Sequence, residues 1–87
     1  MTNDAIIKFV ETKNNTDKAL NIHFKQRSTI TGLFIQGNDY QELKSKNFWR
    51  IVSGQNIEQW RKTKDMNLAR IFNGMEFTRL SAENNNS

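Results

Sequence analysis

The stretch NLARIFNGMEFTRL, residues 67–80, decides the fold, because it joins two apolar runs through an Asn-Gly pair. Asn-Gly between two such runs is the strongest short-range signal of a β-hairpin, since both residues tolerate the positive φ angles of a type I′ turn. The sequence therefore predicts two strands joined by a two-residue turn at Asn73 and Gly74. Alternation in the last strand predicts Met75, Phe77 and Arg79 on one face.

Two more strands are predicted upstream of this hairpin. ALNIHFKQ alternates, so that Leu20, Ile22 and Phe24 face one way. RSTITGLFIQG follows almost directly, and its Gly32 predicts a sharp bend, a bulge or a close approach of two backbones. Such bends are what a small barrel needs in order to close.

A further strand, NFWRIVSG, carries apolar residues on both faces, which predicts that something covers each side of it. Residues 3–13 place apolar side chains at the i, i+3, i+4 spacing of a helix. Residues 55–65 fit either a strand or a helix. A helix is the preferred interpretation, because it puts Ile57 and Trp60 on the same side.

These elements predict a mainly β fold with an N-terminal helix and a short helical insertion before the fourth strand. Five strands in 87 residues favour a small, strongly bent antiparallel barrel. Residues 1–81 are predicted to form this single domain, and residues 82–87 a disordered polar tail.

The composition argues against several classes of function. Cysteine is absent and His23 is the only histidine, so the sequence offers no His/Cys metal cluster and no Cys–His pair. We expect no enzymatic activity, no metal and no cofactor. No apolar run reaches the ~20 residues that span a bilayer, and we expect a cytoplasmic protein without a membrane partner. The net charge of +4 permits an anionic partner such as nucleic acid.

The order of elements resembles that of the Sm-like family of small RNA-binding barrels. In LNIHFKQRSTITGLFIQGNDY and KNFWRIV, the residues Gly32, Asp39 and Asn47 match the first motif of that family. In RIFNGMEFTRL, Gly74 matches the glycine of the second motif, although Asn73 stands where the family has a basic residue. The resemblance covers most of residues 4–81.

The resemblance implies a ring of subunits that binds single-stranded RNA. It implies that the loop before the third strand and the turn after the fourth lie together, which predicts an RNA site at Asp39, Tyr40, Asn47, Asn73 and Gly74. Tyr40 is a candidate for stacking on a base, and packing at the edge of the core is its alternative role. The Asn-Gly pair either reads a base or only forms the turn.

A basic cluster is the other candidate for contact with RNA. It consists of Arg61, Lys62 and Lys64, together with Arg50 and Arg70. These cations either face phosphates or are simply solvated. A protein-interaction or assembly module without nucleic acid is the alternative function.

The last strand is predicted to be a sheet edge that lacks proline or lysine to prevent pairing with another chain. In Sm-like rings this strand pairs with the fourth strand of the neighbouring subunit. We therefore expect a homo-oligomer, with a ring favoured over a dimer.

Overall fold

The computed structural model describes residues 1–82, so the predicted polar tail lies outside the described residues except for Ala82, which ends a strand. The helices and strands run in the order α1 (Asn3–Val10), β1 (Ala19–Phe24), β2 (Ile30–Phe34), α2 (Tyr40–Ser45), β3 (Phe48–Ser53), α3 (Ile57–Thr63), β4 (Ala69–Asn73) and β5 (Phe77–Ala82). Three-residue 3₁₀ turns precede α3, β4 and β5. None of the helices in residues 1–82 is long and apolar enough to cross a membrane.

All five strands belong to one antiparallel sheet with the order β4-β3-β2-β1-β5, which confirms the mainly β prediction. In a flat sheet, β1 and β4 would lie about 14 Å apart, since they are three strand positions from each other. Yet the rings of Phe24 on β1 and Phe72 on β4 lie only 5.9 Å apart. The sheet is therefore strongly curled. Within residues 1–82, β4 and β5 do not pair, which leaves the curled sheet open along one line, here named the seam.

The main core fills the concave face of this sheet. It consists of buried side chains from both the sheet and the helices: Ile6, Val10, Leu20, Ile22, Phe34, Tyr40, Trp49, Ile51, Phe77 and Leu80. Two members belong to α1, so the N-terminal helix covers one end of the concave face, as the helical spacing of residues 3–13 predicts. A Cβ on Gly32 would lie 2.5 Å from Ile51 Cγ2 and 3.3 Å from the Val52 carbonyl, so glycine in β2 leaves the space that the Ile51 side chain of β3 occupies.

The outer face of the sheet has a second, smaller core. Leu33, Ile35 and Val52 pack there against Trp60 of α3, and Ile57 lies beside them. Residues 57–63 form a helix, and Ile57 and Trp60 lie on the same side of it, which confirms the preferred interpretation of the sequence. This helix also explains why β3 is apolar on both faces, because Trp49 and Ile51 enter one core and Val52 the other.

The predicted alternation in the last strand is wrong. Phe77 and Leu80 are both buried, although three positions of regular strand would put them on opposite faces. The register between β1 and β5 shifts at His23 and Phe24, so one extra residue of β5 is accommodated there. Such a bulge shifts the alternation of side chains by one residue, so that Phe77 and Leu80 both face the core.

The predicted two-residue turn at Asn73 and Gly74 is also wrong. Asn73 has an extended φ of −87°, and none of the four glycines, all within residues 1–82, has a positive φ. A 3₁₀ turn, Gly74–Glu76, connects the two strands instead. The Asn73 side chain caps this turn by accepting a hydrogen bond of 2.9 Å from the Met75 amide. Asn73 therefore serves this turn as a side-chain cap, and its backbone does not adopt the positive φ of a type I′ turn.

Candidate nucleic-acid interface

The structure distributes the predicted RNA-binding residues over separate places. Asn47 and Gly74 are in contact, as the resemblance implies, at the end of the sheet covered by α1. The Gly74 amide donates to the Asn47 carbonyl at 2.8 Å. A Cβ on Gly74 would lie 2.1 Å from Asn47 Oδ1 and 2.7 Å from a methyl group of Ile6. Glycine is therefore required at position 74 by lack of space.

The Asn47 side chain is fully engaged inside the protein. Its Oδ1 accepts a hydrogen bond of 2.8 Å from the indole of Trp49, and its Nδ2 donates to the Met1 carbonyl at 3.0 Å. Its φ of 62° lies in the left-handed region, where asparagine is among the residues that fit best, and it follows the last turn of α2. The amide thus binds protein groups at the position where base reading is predicted.

Tyr40 occupies its alternative role as a core residue. The residue is 8% exposed, and its ring packs edge-on against Trp49, with 6.1 Å between the ring centroids. Its hydroxyl donates to Glu11 Oε2 at 2.7 Å, and Lys44 donates to the same oxygen at 2.8 Å. Burial raises the pKa of the Tyr40 hydroxyl, and the Glu11 carboxylate raises it further. The buried ring leaves no face on which a base can stack.

Asp39 forms an ion pair with Arg50 of β3. The pair is partly buried, since the Arg50 side chain is only 19% exposed. This arrangement ties the start of α2 to the sheet. Asp39 therefore stabilises the loop before β3 in the same place where the resemblance implies contact with RNA.

The basic residues of α3 lie on the outer side of the molecule. The Arg61 guanidinium approaches Asp17 Oδ2 at 3.7 Å, and Lys64 Nζ lies 5.5 Å from the ring centre of Trp60. Lys62 is exposed on the same helix. The remaining predicted residues, Arg70 and Asn73, belong to β4.

Arg70 and Asn73 adjoin a site that the sequence does not predict. An open cleft of about 170 Å³ lies on the seam, here named the seam cleft, and it is lined by Phe24, Gln26, Arg27, Phe72, Asn73 and Glu76. A second cavity of about 270 Å³ shares Arg27 and Phe72 with the seam cleft and adds Arg70, Gln55 and Asn56. The two cavities therefore adjoin each other at Arg27 and Phe72, and together they are here named the groove.

The floor of the seam cleft consists of two half-buried aromatic rings. Phe24 and Phe72 are tilted by 43° to each other. The Arg27 guanidinium lies over both, with its Cζ 5.0 Å from the Phe24 centroid and 5.9 Å from that of Phe72. Among residues 1–82, no carboxylate lies within 4.0 Å of Arg27. The cleft thus offers aromatic surface and an unpaired cation in the same place, the combination that single-stranded nucleic acids require.

His23 is the residue on which any Ser–His arrangement would depend. Its Nε2 lies 3.3 Å from Ser81 Oγ and 3.2 Å from the guanidinium of Arg79, and Thr29 contacts the other ring nitrogen at 3.0 Å. The partner at the second nitrogen is therefore a hydroxyl, where a catalytic triad has a carboxylate. Within residues 1–82, no three acidic or histidine side chains form a group that could hold a metal ion.

The contact between Asn47 and Gly74 yields the first prediction. We expect Gly74→Ala to lower the free energy of unfolding by about 2–4 kcal/mol, because the methyl group displaces Asn47 and leaves the Trp49 indole without its acceptor. Urea unfolding followed by tryptophan fluorescence measures this loss. Gly37→Ala is the matched control, since its Cβ would meet its nearest neighbour at an ordinary 3.5 Å. Equal stability of the two variants would contradict the assigned role of Gly74.

The Glu11 carboxylate yields a prediction on pH. Hydrogen bonds from Lys44 and Tyr40 hold its pKa below the ordinary value of 4.5. The unfolded chain therefore binds this proton first as the pH falls, and the stabilisation by Glu11 is present above pH 4.5 and is lost below it. We expect Glu11→Gln to be less stable than the parent by about 1 kcal/mol at pH 7.

The difference between the parent and Glu11→Gln should close as the pH falls through the folded pKa of Glu11. Thermal unfolding followed by circular dichroism over this range measures it. Glu42→Gln is the control, because Glu42 pairs with Lys46 at an exposed site and should change stability little at any pH. If the stability difference between the parent and Glu11→Gln stayed constant down to the lowest pH measured, the charge of Glu11 would not be its cause.

Comparison with family models, curated proteins and solved structures finds no match to this chain. The resemblance to the Sm-like family therefore stays a prediction. The chemistry of the side chains themselves is the basis for inferring function, and within residues 1–82 the seam cleft is where aromatic rings, amides and an unpaired arginine meet.

Proposed function

We propose that this protein is an Sm-like small barrel that binds single-stranded RNA and acts as a homo-oligomer, with a ring as the favoured form. The observation that carries the proposal is the position of the Arg27 guanidinium over the half-buried rings of Phe24 and Phe72. Aromatic faces bind bases and arginine binds phosphates, and a single-stranded chain presents both groups at each nucleotide.

The distribution of charge and amide groups around the groove supports the same proposal. Arg27 and Arg70 line it, and Glu76 is the one carboxylate among the residues that form the two cavities. Gln55 and Asn56 add amides, each of which offers a hydrogen-bond donor and an acceptor. The proposed RNA-binding set therefore keeps Arg70 and Asn73 from the sequence prediction and places them beside Arg27 and the two rings.

The edges of the sheet support assembly. Within residues 1–82, β4 and β5 each pair on one side only, so each has a row of backbone groups available to another chain. Ile71 on β4 is 51% exposed and Met75 is 53% exposed. This apolar surface beside a free strand edge also supports the alternative function, a protein-interaction module without nucleic acid. A cytoplasmic location stays a prediction.

RNA binding is tested by fluorescence anisotropy with labelled single-stranded oligonucleotides at several salt concentrations. We expect log affinity to fall linearly with log salt, and we expect Arg27→Ala/Arg70→Ala to make the slope shallower by about 1.4, as the loss of two phosphate contacts requires. The triple variant Arg61→Ala/Lys62→Ala/Lys64→Ala removes the cations on the outer face. It should change the slope less than the double variant does.

Two results would contradict this proposal in different ways. If only the triple variant makes the slope shallower, RNA runs over α3 and the groove is not its path. If no oligonucleotide binds even at low salt, the protein-interaction module becomes the better explanation.

Light scattering after size-exclusion chromatography tests the assembly. We expect a homo-oligomer at micromolar concentration, and we expect Ile71→Lys to reduce it to a monomer, because a charged side chain on an edge strand opposes pairing with a second chain. Gln41→Lys places the same charge on the exposed surface of α2 and should leave the mass unchanged. A monomeric parent protein would contradict the ring.

A further inference from the structure

The size and shape of the seam cleft restrict what can enter it. Its volume of about 170 Å³ lies below the ~300–1,000 Å³ of pockets that enclose whole drug-sized ligands. Its floor is formed by two aromatic rings, Phe24 and Phe72, with their centroids 5.9 Å apart. A single flat ring system therefore matches the cleft, and the rest of a larger ligand would stay outside.

Arg27 occupies the place where such a ring system would stack. Its guanidinium is itself planar and lies over both phenyl rings. The residue is exposed, and among residues 1–82 it has no carboxylate partner within 4.0 Å that would hold it there. A cation–π contact at an exposed site is weak, so a base can displace the guanidinium at low cost. The displaced arginine then has a long side chain with which to reach a phosphate beside the base.

Glu76 gives the cleft a preference among bases. Its backbone is fixed, because the Glu76 carbonyl accepts a hydrogen bond of 3.0 Å from the Lys25 amide. Glu76 lines the cleft, and its carboxylate has no cationic partner within 4.0 Å among residues 1–82. A carboxylate only accepts hydrogen bonds, so it favours a base that presents an amino group. Adenine, cytosine and guanine carry such a group, whereas uracil has none and presents a carbonyl oxygen where cytosine has its amino group.

We infer that the seam cleft binds one nucleobase with an exocyclic amino group, which displaces the Arg27 guanidinium from the two rings while Arg27 turns to the adjoining phosphate. This inference rests on the proposed function, since the base is taken to be part of a single-stranded RNA. Phe72 stacks on the base, and Glu76 accepts a hydrogen bond from its amino group.

Pentaadenylate, pentacytidylate and pentauridylate are the probes that test this inference, with affinity measured by anisotropy. We expect the first two to bind more tightly than pentauridylate, and Phe72→Leu to weaken the binding of pentaadenylate about tenfold. Phe48→Leu is the matched control, because Phe48 is a partly exposed phenylalanine on β3 outside the cleft. Glu76→Gln should lower the ratio of the affinity for pentaadenylate to the affinity for pentauridylate.

If a thermal melt shows that Phe72→Leu is not folded, the variant Arg27→Ala tests the inference instead, by nuclear magnetic resonance and by the salt dependence of binding. With Arg27→Ala, pentaadenylate should still shift the ring protons of Phe24, while the salt slope becomes shallower by about 0.7, the value for one phosphate contact. If none of the pentanucleotides binds at low salt, the proposed function itself fails. If they bind with equal affinity and leave the Phe24 resonances unmoved, RNA binding stands and the inference is overturned.

Discussion

The contact between Asn47 and Gly74 is the constraint on which the arrangement of the other elements depends. Asn47 joins four parts of the chain, because its backbone and side chain bind the end of α2, the Trp49 indole, the Met1 carbonyl and the turn after β4. The bond to the turn brings Gly74 so close that Asn47 Oδ1, the acceptor of the Trp49 indole, lies 2.1 Å from where a Cβ on Gly74 would be. The same turn leads the chain from β4 into β5, two strands that do not pair within residues 1–82 and that border the seam.

Much of the secondary structure follows from local patterns in the sequence. The helical spacing in residues 3–13, the alternation around Leu20 and Ile22, and the i, i+3 pair of Ile57 and Trp60 all predict elements that the structure contains. These patterns succeed because each depends on which face of a single element is buried. For Gly32 the sequence leaves a bend, a bulge or a close approach open, and the structure shows a close approach to Ile51 and Val52 of β3.

The errors arise where a residue has two uses that the sequence does not distinguish. Asn73 suits a type I′ turn, but it suits equally well a side-chain cap, and Gly74 serves a need for space and not for positive φ. The register shift between β1 and β5 depends on two strands that are far apart in the sequence. The seam cleft depends in the same way on folding, because Arg27 and Phe72 meet only when the sheet curls. The one local signal for it is that Phe24, at the end of an alternating strand, is followed by the basic segment KQR.

The pairing of β1 with β5 has a consequence for the route by which the chain folds. The second core on the outer face joins elements that follow one another between β2 and β4, so its contacts close short loops. By contrast, the Met1 amine donates to the Phe77 carbonyl over a separation of 76 residues, and β5 pairs with the first strand. Contacts between such distant residues cost more loop-closure entropy and slow folding. The topology therefore favours early formation of the central strands with α3, and late docking of β5, the step that packs Phe77 edge-on against Phe24 of the seam cleft.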